Sequence, residues 1–390
     1  MKDILIVTNY FPPETGAASN RISHLAEGLQ KRYFNVSVIT PLPNYPKGKI
    51  FDDYKDVFRF SSTENNIQIH RLWVYASNSK NKFLRLFSML SYSLSLIWFF
   101  ITNKIPKTVI IQSPPLVVAF TSTLFLKFKN RKLILNVSDL WPLAGLELGA
   151  FKKNFAYRLL EKIEKFNYEK ADLVLGQSEE ILNHIKSILP NKNTFLYRNY
   201  PKIITPEINS KSSSNNKIKL VYAGLLGVAQ GIHKLCQELD VSNIEFHIYG
   251  DGAERAQIEN FIKINKEIPI YYHGELSRNE LHKEIPTYDI TIIPLLNRIY
   301  GSVPSKIFEY AKLGIPIIYF GGGEGENIVT ENKLGWVVKV GDYANLNHVI
   351  SSIDKTELSS LKHLIKKTAD TKFDFDLQFD GLINKHFYLL

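Results

Sequence analysis

A single cysteine, Cys236, is all the sequence holds, so no disulfide can form within the chain and a reducing compartment is the simpler expectation. Cys236 falls in the apolar pattern of a helix, where it reads as a small core residue and not as a nucleophile. There is no zinc-ligand spacing, no aromatic pattern of an RNA-binding sheet and no Arg-rich arm, which argues against nucleic acid as a partner. No GxGxxG run follows the first strand, so a dinucleotide reading is poor. The strand pattern begins at once, in MKDILIVTN, and leaves no room for a signal peptide; the expectation is a cytoplasmic protein.

What is present is a globular composition, 45% hydrophobic and 22% charged over 390 residues, long enough for two cores. The net charge of +10 is unevenly placed: residues 1–200 carry 27 Lys+Arg against 15 Asp+Glu, and residues 201–390 carry 21 against 23. A basic first half beside a near-neutral second half points to an anionic surface met by the first half only, with anionic lipid the stronger candidate. Residues 83–102, FLRLFSMLSYSLSLIWFFIT, are the most hydrophobic run, flanked by Lys80, Lys82, Lys104 and Lys107. Arg85 and the serines weaken a spanning helix; an in-plane membrane helix and a helix packed on the sheet of the first domain both fit.

Strand and helix patterns alternate through about six βα units, break at PKIITPEINSKSSSNN, and resume for about five more. This predicts an α/β protein of two doubly wound, Rossmann-like domains facing a central cleft. The expected boundaries are 1–200 for the first domain, 201–216 for a linker, 217–372 for the second domain and 373–390 for an apolar tail.

The stretch from Gly301 to Trp336 organises the rest. Pro304 and Ser305 read as a helix entry, Lys306 falls in the first turn and Glu309 three residues later on the same face. An ammonium at the positive end of a helix suits a diphosphate, and a carboxylate one turn on suits a sugar diol. A solvated Lys–Glu pair is the plainer reading of the same spacing. Elsewhere, Gly16 in PPETGAASNR lets the backbone come close to a bound group ahead of a helix. Asp139 follows the strand KLILNV at the edge where open α/β sheets bind ligands, although an Asp after a strand also commonly serves a turn. GLLGVAQG, from Gly224 to Gly231, is a tight strand-to-helix loop, and Gly250 turns the next strand.

The PSKIFEY run resembles the nucleotide-binding motif of retaining GT-B glycosyltransferases of family 4, and the resemblance extends over nearly the whole chain. It implies Lys306 on the donor diphosphate and Glu309 on the ribose, with Pro304 and Ser305 in the same helix entry. It implies a first loop over the donor phosphates, bringing in Gly16 and Arg21. The loop with Gly224 and Gln230, the turn at Gly250, and a turn at His273 and Gly274 beside the base complete the donor side. Asn44 and Tyr45, in the loop PLPNYPKGKIF, and Trp141, in DLWP, are implied on the acceptor side, with Asp139 as the acceptor base or a positioning group. The tail is implied to cross back onto the first domain. The Arg that often precedes the acceptor-side Asp in the family is Ser138 here. Three more family positions are altered: a Glu eight residues before the ribose Glu is Gly301, and a loop Arg and Lys are Leu226 and Gln230. Those changes resemble the branch that builds bacterial surface polysaccharides such as O-antigen and capsule.

The resulting expectation is a transferase moving a sugar from a nucleotide-diphosphate donor, a UDP-sugar first, to an undecaprenyl-diphosphate-linked saccharide. It would sit peripherally on the inner face of the plasma membrane. No DxD-type carboxylate pair lies in a fitting loop, so no metal and no cofactor is expected. A nucleotide-sugar 2-epimerase of the same fold and a non-catalytic subunit are the alternatives.

Overall fold

The computed structural model describes residues 2–79, 81–127, 130–203 and 217–387. Lys80 and residues 204–216, most of the expected linker, lie outside the described residues. Contacts divide the chain into two units, Met1–Asn199 with Ile299–Ser302 and Phe379–Leu390, and Tyr200–Arg298 with Val303–Gln378. The tail thus divides at Phe379, six residues later than the boundary read from sequence, and a short piece around Tyr300 belongs with the first unit.

The first unit is built on eight strands: β1 Asp3–Val7, β2 Asn35–Pro41, β3 Arg59–Glu64, β4 Ile67–Leu72, β5 Thr108–Ser113, β6 Lys132–Val137, β7 Leu173–Gly176 and β8 Thr194–Leu196. Their order is β3-β4-β2-β1-β5-β6-β7-β8, parallel except for the antiparallel β3–β4 pair. Apolar runs such as ILIV and VII are buried on both faces, as parallel strands under helices must be. The β3–β4 hairpin turns on Asn65 and Asn66, both at positive φ (49° and 60°), a conformation asparagine tolerates.

The second unit has six parallel strands: β9 Ile218–Ala223, β10 Ile244–Tyr249, β11 Ile270–Tyr272, β12 Ile290–Pro294, β13 Ile317–Phe320 and β14 Gly335–Val338, ordered β11-β10-β9-β12-β13-β14. The order reverses at β9, which puts a switch point, and hence a ligand crevice, at the carboxyl end of that strand. Cores lie on each face of this sheet, one around Phe246, Leu226 and Leu235, the other around Phe308, Tyr310 and Ile317. Cys236 is buried in the first of them, and burial pushes its thiol up to about 12, which keeps it protonated.

Candidate active site

In the second unit the carboxyl ends of β9, β10 and β11 are laced together. Gly224 N donates to Tyr249 O at 3.0 Å and Gly250 N to Gly274 O at 2.8 Å. A Cβ on Gly250 would stand 1.8 Å from Gly224 O, and one on Gly224 would stand 1.8 Å from Lys306 Nζ, so the close approach depends on both glycines. Beside them is a cavity of about 310 Å³, bordered by Gly224, Tyr249, Gly250, Glu275 and Leu281.

Lys306 opens the helix Lys306–Lys312. Its ammonium donates to the Ala223 carbonyl, which also accepts from Tyr310 Oη at 3.0 Å, and it lies 5.1 Å from the centre of the Tyr222 ring. Burial pushes its pKa down to about 8, against the opposing pull of Glu309. Ser305 does not cap this helix through its side chain, contrary to the sequence-based expectation. Its own backbone is already helical (φ −61°, ψ −19°), whereas a capping side chain needs an extended backbone; its carbonyl accepts from Phe308 N and Glu309 N at 3.1 Å instead. Pro304 O accepts from Ile307 N in the same turn. At seven residues the helix has a short dipole, so the Lys306 charge is the main electrostatic feature of this end.

Glu309 does not point to bulk water. Its Oε1 accepts from His282 Nε2 at 2.5 Å and pairs with Arg278 Nε at 3.4 Å, while Oε2 has no hydrogen bond among the described residues. Burial alone would raise this carboxyl; the His282 hydrogen bond, Arg278 and Lys306 outweigh it and hold it below its ordinary value. Sequence reasoning missed both partners, although Arg278 and His282 stand four apart on the helix Arg278–Glu284 and so share a face.

The other donor-side residues fall around this group. Leu226, where the family has an Arg, is fully buried in the core, and Gln230 has its Oε1 buried with no hydrogen-bond partner among the described residues. His273 stacks on Tyr249 (4.6 Å between centroids, 19° between planes) and contacts His247 Nδ1 through Nε2 at 2.9 Å. Gly274 supplies the carbonyl that ties down Gly250.

In the first unit, Gly16 caps the helix Ala17–Lys31 at φ 137°, with the Tyr45 ring 3.7 Å from where a Cβ would be. Buried Glu14 joins this loop to the next one: its Oε1 accepts from Asn44 N at 2.8 Å and Tyr45 N at 2.9 Å. Arg21, expected as a donor contact, is buried, and its two terminal nitrogens donate inside the fold. Arg21 Nη1 donates to Gln177 Oε1 (2.9 Å), Gln177 Nε2 to the Ser138 carbonyl, and Gln112 Nε2 to Ser138 Oγ (3.0 Å). Asn136 Nδ2 donates to Gln112 Oε1 (2.7 Å) and Arg21 Nη2 to Asn136 Oδ1 (2.8 Å), which closes a ring of polar groups, buried at Arg21, Gln112 and Asn136 and half-buried at Ser138 and Gln177. Burial lowers Arg21 to about 10.

Asp139 follows Ser138 at the end of β6. Burial raises its carboxyl to about 6, with Arg21 and Ser138 pulling the other way. That value suits a group that takes and returns a proton near neutrality. Trp141 packs edge-on against Phe151 at 5.7 Å. Gly301 stands where the family has its first Glu, and the position admits no side chain: φ is +84°, and a Cβ would meet Ile181 at 2.9 Å and Leu140 at 3.2 Å. Its N–H donates to Glu180 Oε2 at 2.8 Å, and its carbonyl accepts from Ser178 Oγ at 2.7 Å.

Two doubly wound units, one with a lysine and a glutamate fixed at the switch point, have the make-up of a GT-B glycosyltransferase, and the comparisons agree. Glycosyl transferase 4-like domain matches residues 16–193, and Glycosyl transferases group 1 matches residues 204–371. The chain is a glycosyltransferase of GT-B type built from these two domains. It is similar to WcaI of Escherichia coli (strain K12), a protein named for glycosyl transfer in colanic acid biosynthesis, at 23% identity over 278 residues, 66% of this chain and 68% of the relative. Among solved structures it resembles sucrose-phosphate synthase from Thermosynechococcus elongatus (TM-score 0.77, 14% identity, all of both chains). It also resembles the lipopolysaccharide outer core galactosyltransferase WaaB (TM-score 0.63, 16% identity, 98% of this chain and 99% of that one). Anabaena HepE in complex with UDP aligns over all of both chains at a TM-score of 0.67 and 13% identity. These structural likenesses establish the fold.

Proposed function

We propose that the protein is a retaining glycosyltransferase that moves a hexosyl or N-acetylhexosaminyl group from a UDP-sugar to a hydroxyl of an undecaprenyl-diphosphate-linked saccharide, in the assembly of a bacterial surface polysaccharide. The observation that carries this reading is the Lys306 ammonium, drawn out of water against Ala223 and Gly224, two residues that border the cavity, with Glu309 held ionised one turn further along. The name of WcaI and the match to Glycosyl transferases group 1 support the setting.

In the reaction the bond from the anomeric carbon to the diphosphate oxygen breaks, and the acceptor oxygen bonds to that carbon on the same face. Charge builds on the departing diphosphate, and a preorganised cation in a poorly hydrated site stabilises it without reorganisation. Lys306 fills that role in place of a metal ion. Glu309 Oε2 takes the ribose diol while His282 and Arg278 occupy Oε1. The backbone amides near Gly224 complete the phosphate contacts on this unit, since Leu226 lies in the core and Gln230 carries no charge. The acceptor proton goes to a diphosphate oxygen, while Asp139, whose carboxyl lies near 6, is the acceptor-side base or positioning group that the family resemblance implies.

A donor screen on a soluble undecaprenyl-diphosphate-saccharide mimic, with wild type and Glu309→Ala, tests the proposal. Transfer from one UDP-sugar, with retained anomeric configuration and at least a tenfold loss in the variant, is the expected result. Activity untouched by that substitution contradicts the ribose assignment.

A further inference from the structure

Between Glu64 and Asp139 the sequence has no aspartate and no glutamate, against ten lysines and arginines. The long helix Lys82–Thr102 lies in the middle of this acid-free stretch. Its inner face is built into the protein: Tyr92, Leu96, Phe99 and Phe100 belong to the first unit's core, and Tyr92 Oη donates to Thr8 O at 2.9 Å. Its outer face is bare. Leu94 is 67% exposed and Trp98 70%, with Phe83, Phe87, Leu90 and Ile101 exposed on the same stripe at helical spacing. Only 33% of the helix's most apolar window is buried, where a core helix would be mostly covered.

The apolar surface runs on beyond the helix. Phe87 meets Tyr75 edge-on at 5.1 Å, and Ser95 Oγ donates to the Trp73 carbonyl at 2.8 Å. Trp73 in turn stacks at 6.0 Å on Phe58, which is 78% exposed. Cations stand at the rim: Arg85 on the helix, then Lys104 just past its carboxyl end, and Arg59, which donates to Asn103 at 3.3 Å. Arg59, Phe99, Asn103 and Lys104 also border a cavity of about 640 Å³, room enough for a lipid headgroup.

We propose that this face docks on an anionic lipid bilayer. The helix lies in the plane of the interface, its outer aromatic and aliphatic side chains among the acyl chains, and Arg59, Arg85 and Lys104 meet lipid phosphates. A spanning orientation would strip Tyr92, Leu96, Phe99 and Phe100 from the core, at about 1.5–3 kcal/mol for each side chain. A second copy of the chain is the poorer occupant, because two identical faces would bring their cationic rims together. The surface is defined without reference to the transfer reaction, and it places the protein where a lipid-carried acceptor is found.

Vesicle flotation of the full chain tests the proposal and needs no donor, so its result is independent of the transfer activity. Wild type is expected to float with vesicles containing phosphatidylglycerol and not with pure phosphatidylcholine. Leu94→Glu/Trp98→Glu should cut retention at least tenfold, and Arg59→Ala/Lys104→Ala several-fold, both with unchanged far-UV circular dichroism. Failure of wild type to float with the anionic vesicles overturns the proposal. So does flotation of the double glutamate variant like wild type, or a solution dimer of wild type that this variant dissolves.

Discussion

The carboxylate of Glu309 accepts a 2.5 Å hydrogen bond from His282 Nε2 across 27 residues of sequence, and this bond engages Oε1 and leaves Oε2 without a hydrogen bond among the described residues. A hydrogen bond to a charged, largely buried group is worth about 1.5–3 kcal/mol. His282→Ala is therefore expected to raise the donor KM roughly ten- to a hundredfold, with Gln, which can still donate, recovering part of the loss. Arg278→Ala should do less, because its guanidinium is half-exposed and screened. Steady-state kinetics against donor concentration distinguish the two.

The pH profile has two limbs. Asp139 is ionised above about 6 and Lys306 is charged below about 8, so activity that needs both forms is bell-shaped between those values. The sign for Lys306 is fixed by its depressed value: protonation, and with it diphosphate binding, is complete below about 8 and lost as pH rises through it. Asp139→Asn should remove the acidic limb and Lys306→Arg should push the alkaline limb upward in kcat/KM profiles.

Gly224 and Gly250 are equally crowded and should fail differently. A methyl on Gly224 collides with the tip of a lysine side chain, which gives way more easily than backbone, and meets a backbone at φ +157°, so Gly224→Ala is expected to lose activity tenfold or more with only a small drop in melting temperature. A methyl on Gly250 collides with the Gly224 carbonyl, which cannot move freely, so Gly250→Ala should lower the melting temperature by several degrees. Thermal unfolding and transfer assays on the two variants check the contrast.

Restoring an acidic side chain at position 301 is expected to harm the protein. The left-handed backbone there costs about 1–3 kcal/mol for a residue with a Cβ, before the contacts with Ile181 and Leu140 are counted. Gly301→Glu should melt lower than wild type and gain no activity, as calorimetry and a transfer assay on one sample would show.

Much of this was readable in the chain. The runs from Ile218 to Ala223 and Ile244 to Tyr249 are β9 and β10, and their apolar residues mark them as strands although Lys219, Glu245 and His247 interrupt the pattern. The hairpin strand Arg59–Glu64 escaped notice because it is a solvent-facing edge with no apolar alternation; only the Asn65–Asn66 turn marked it. At the site, Lys306 and Glu309 were legible because three-residue spacing fixes a helix face. The polar ring through Arg21, Gln112, Asn136, Ser138 and Gln177 was not, because its members come from separate strands, loops and a helix that only the fold brings together. The place of Arg21 in the ring was hidden for that reason: sequence shows a charge, and only packing shows which groups it meets.

The central claim is that the Lys306 ammonium holds the donor diphosphate. Calorimetric titration of UDP into wild type and Lys306→Ala at pH 7, and into wild type again at pH 9, tests it most directly. The account predicts binding by wild type at pH 7, weaker by about tenfold at pH 9 and by about as much or more in the variant. Equal affinity in all three titrations would contradict it.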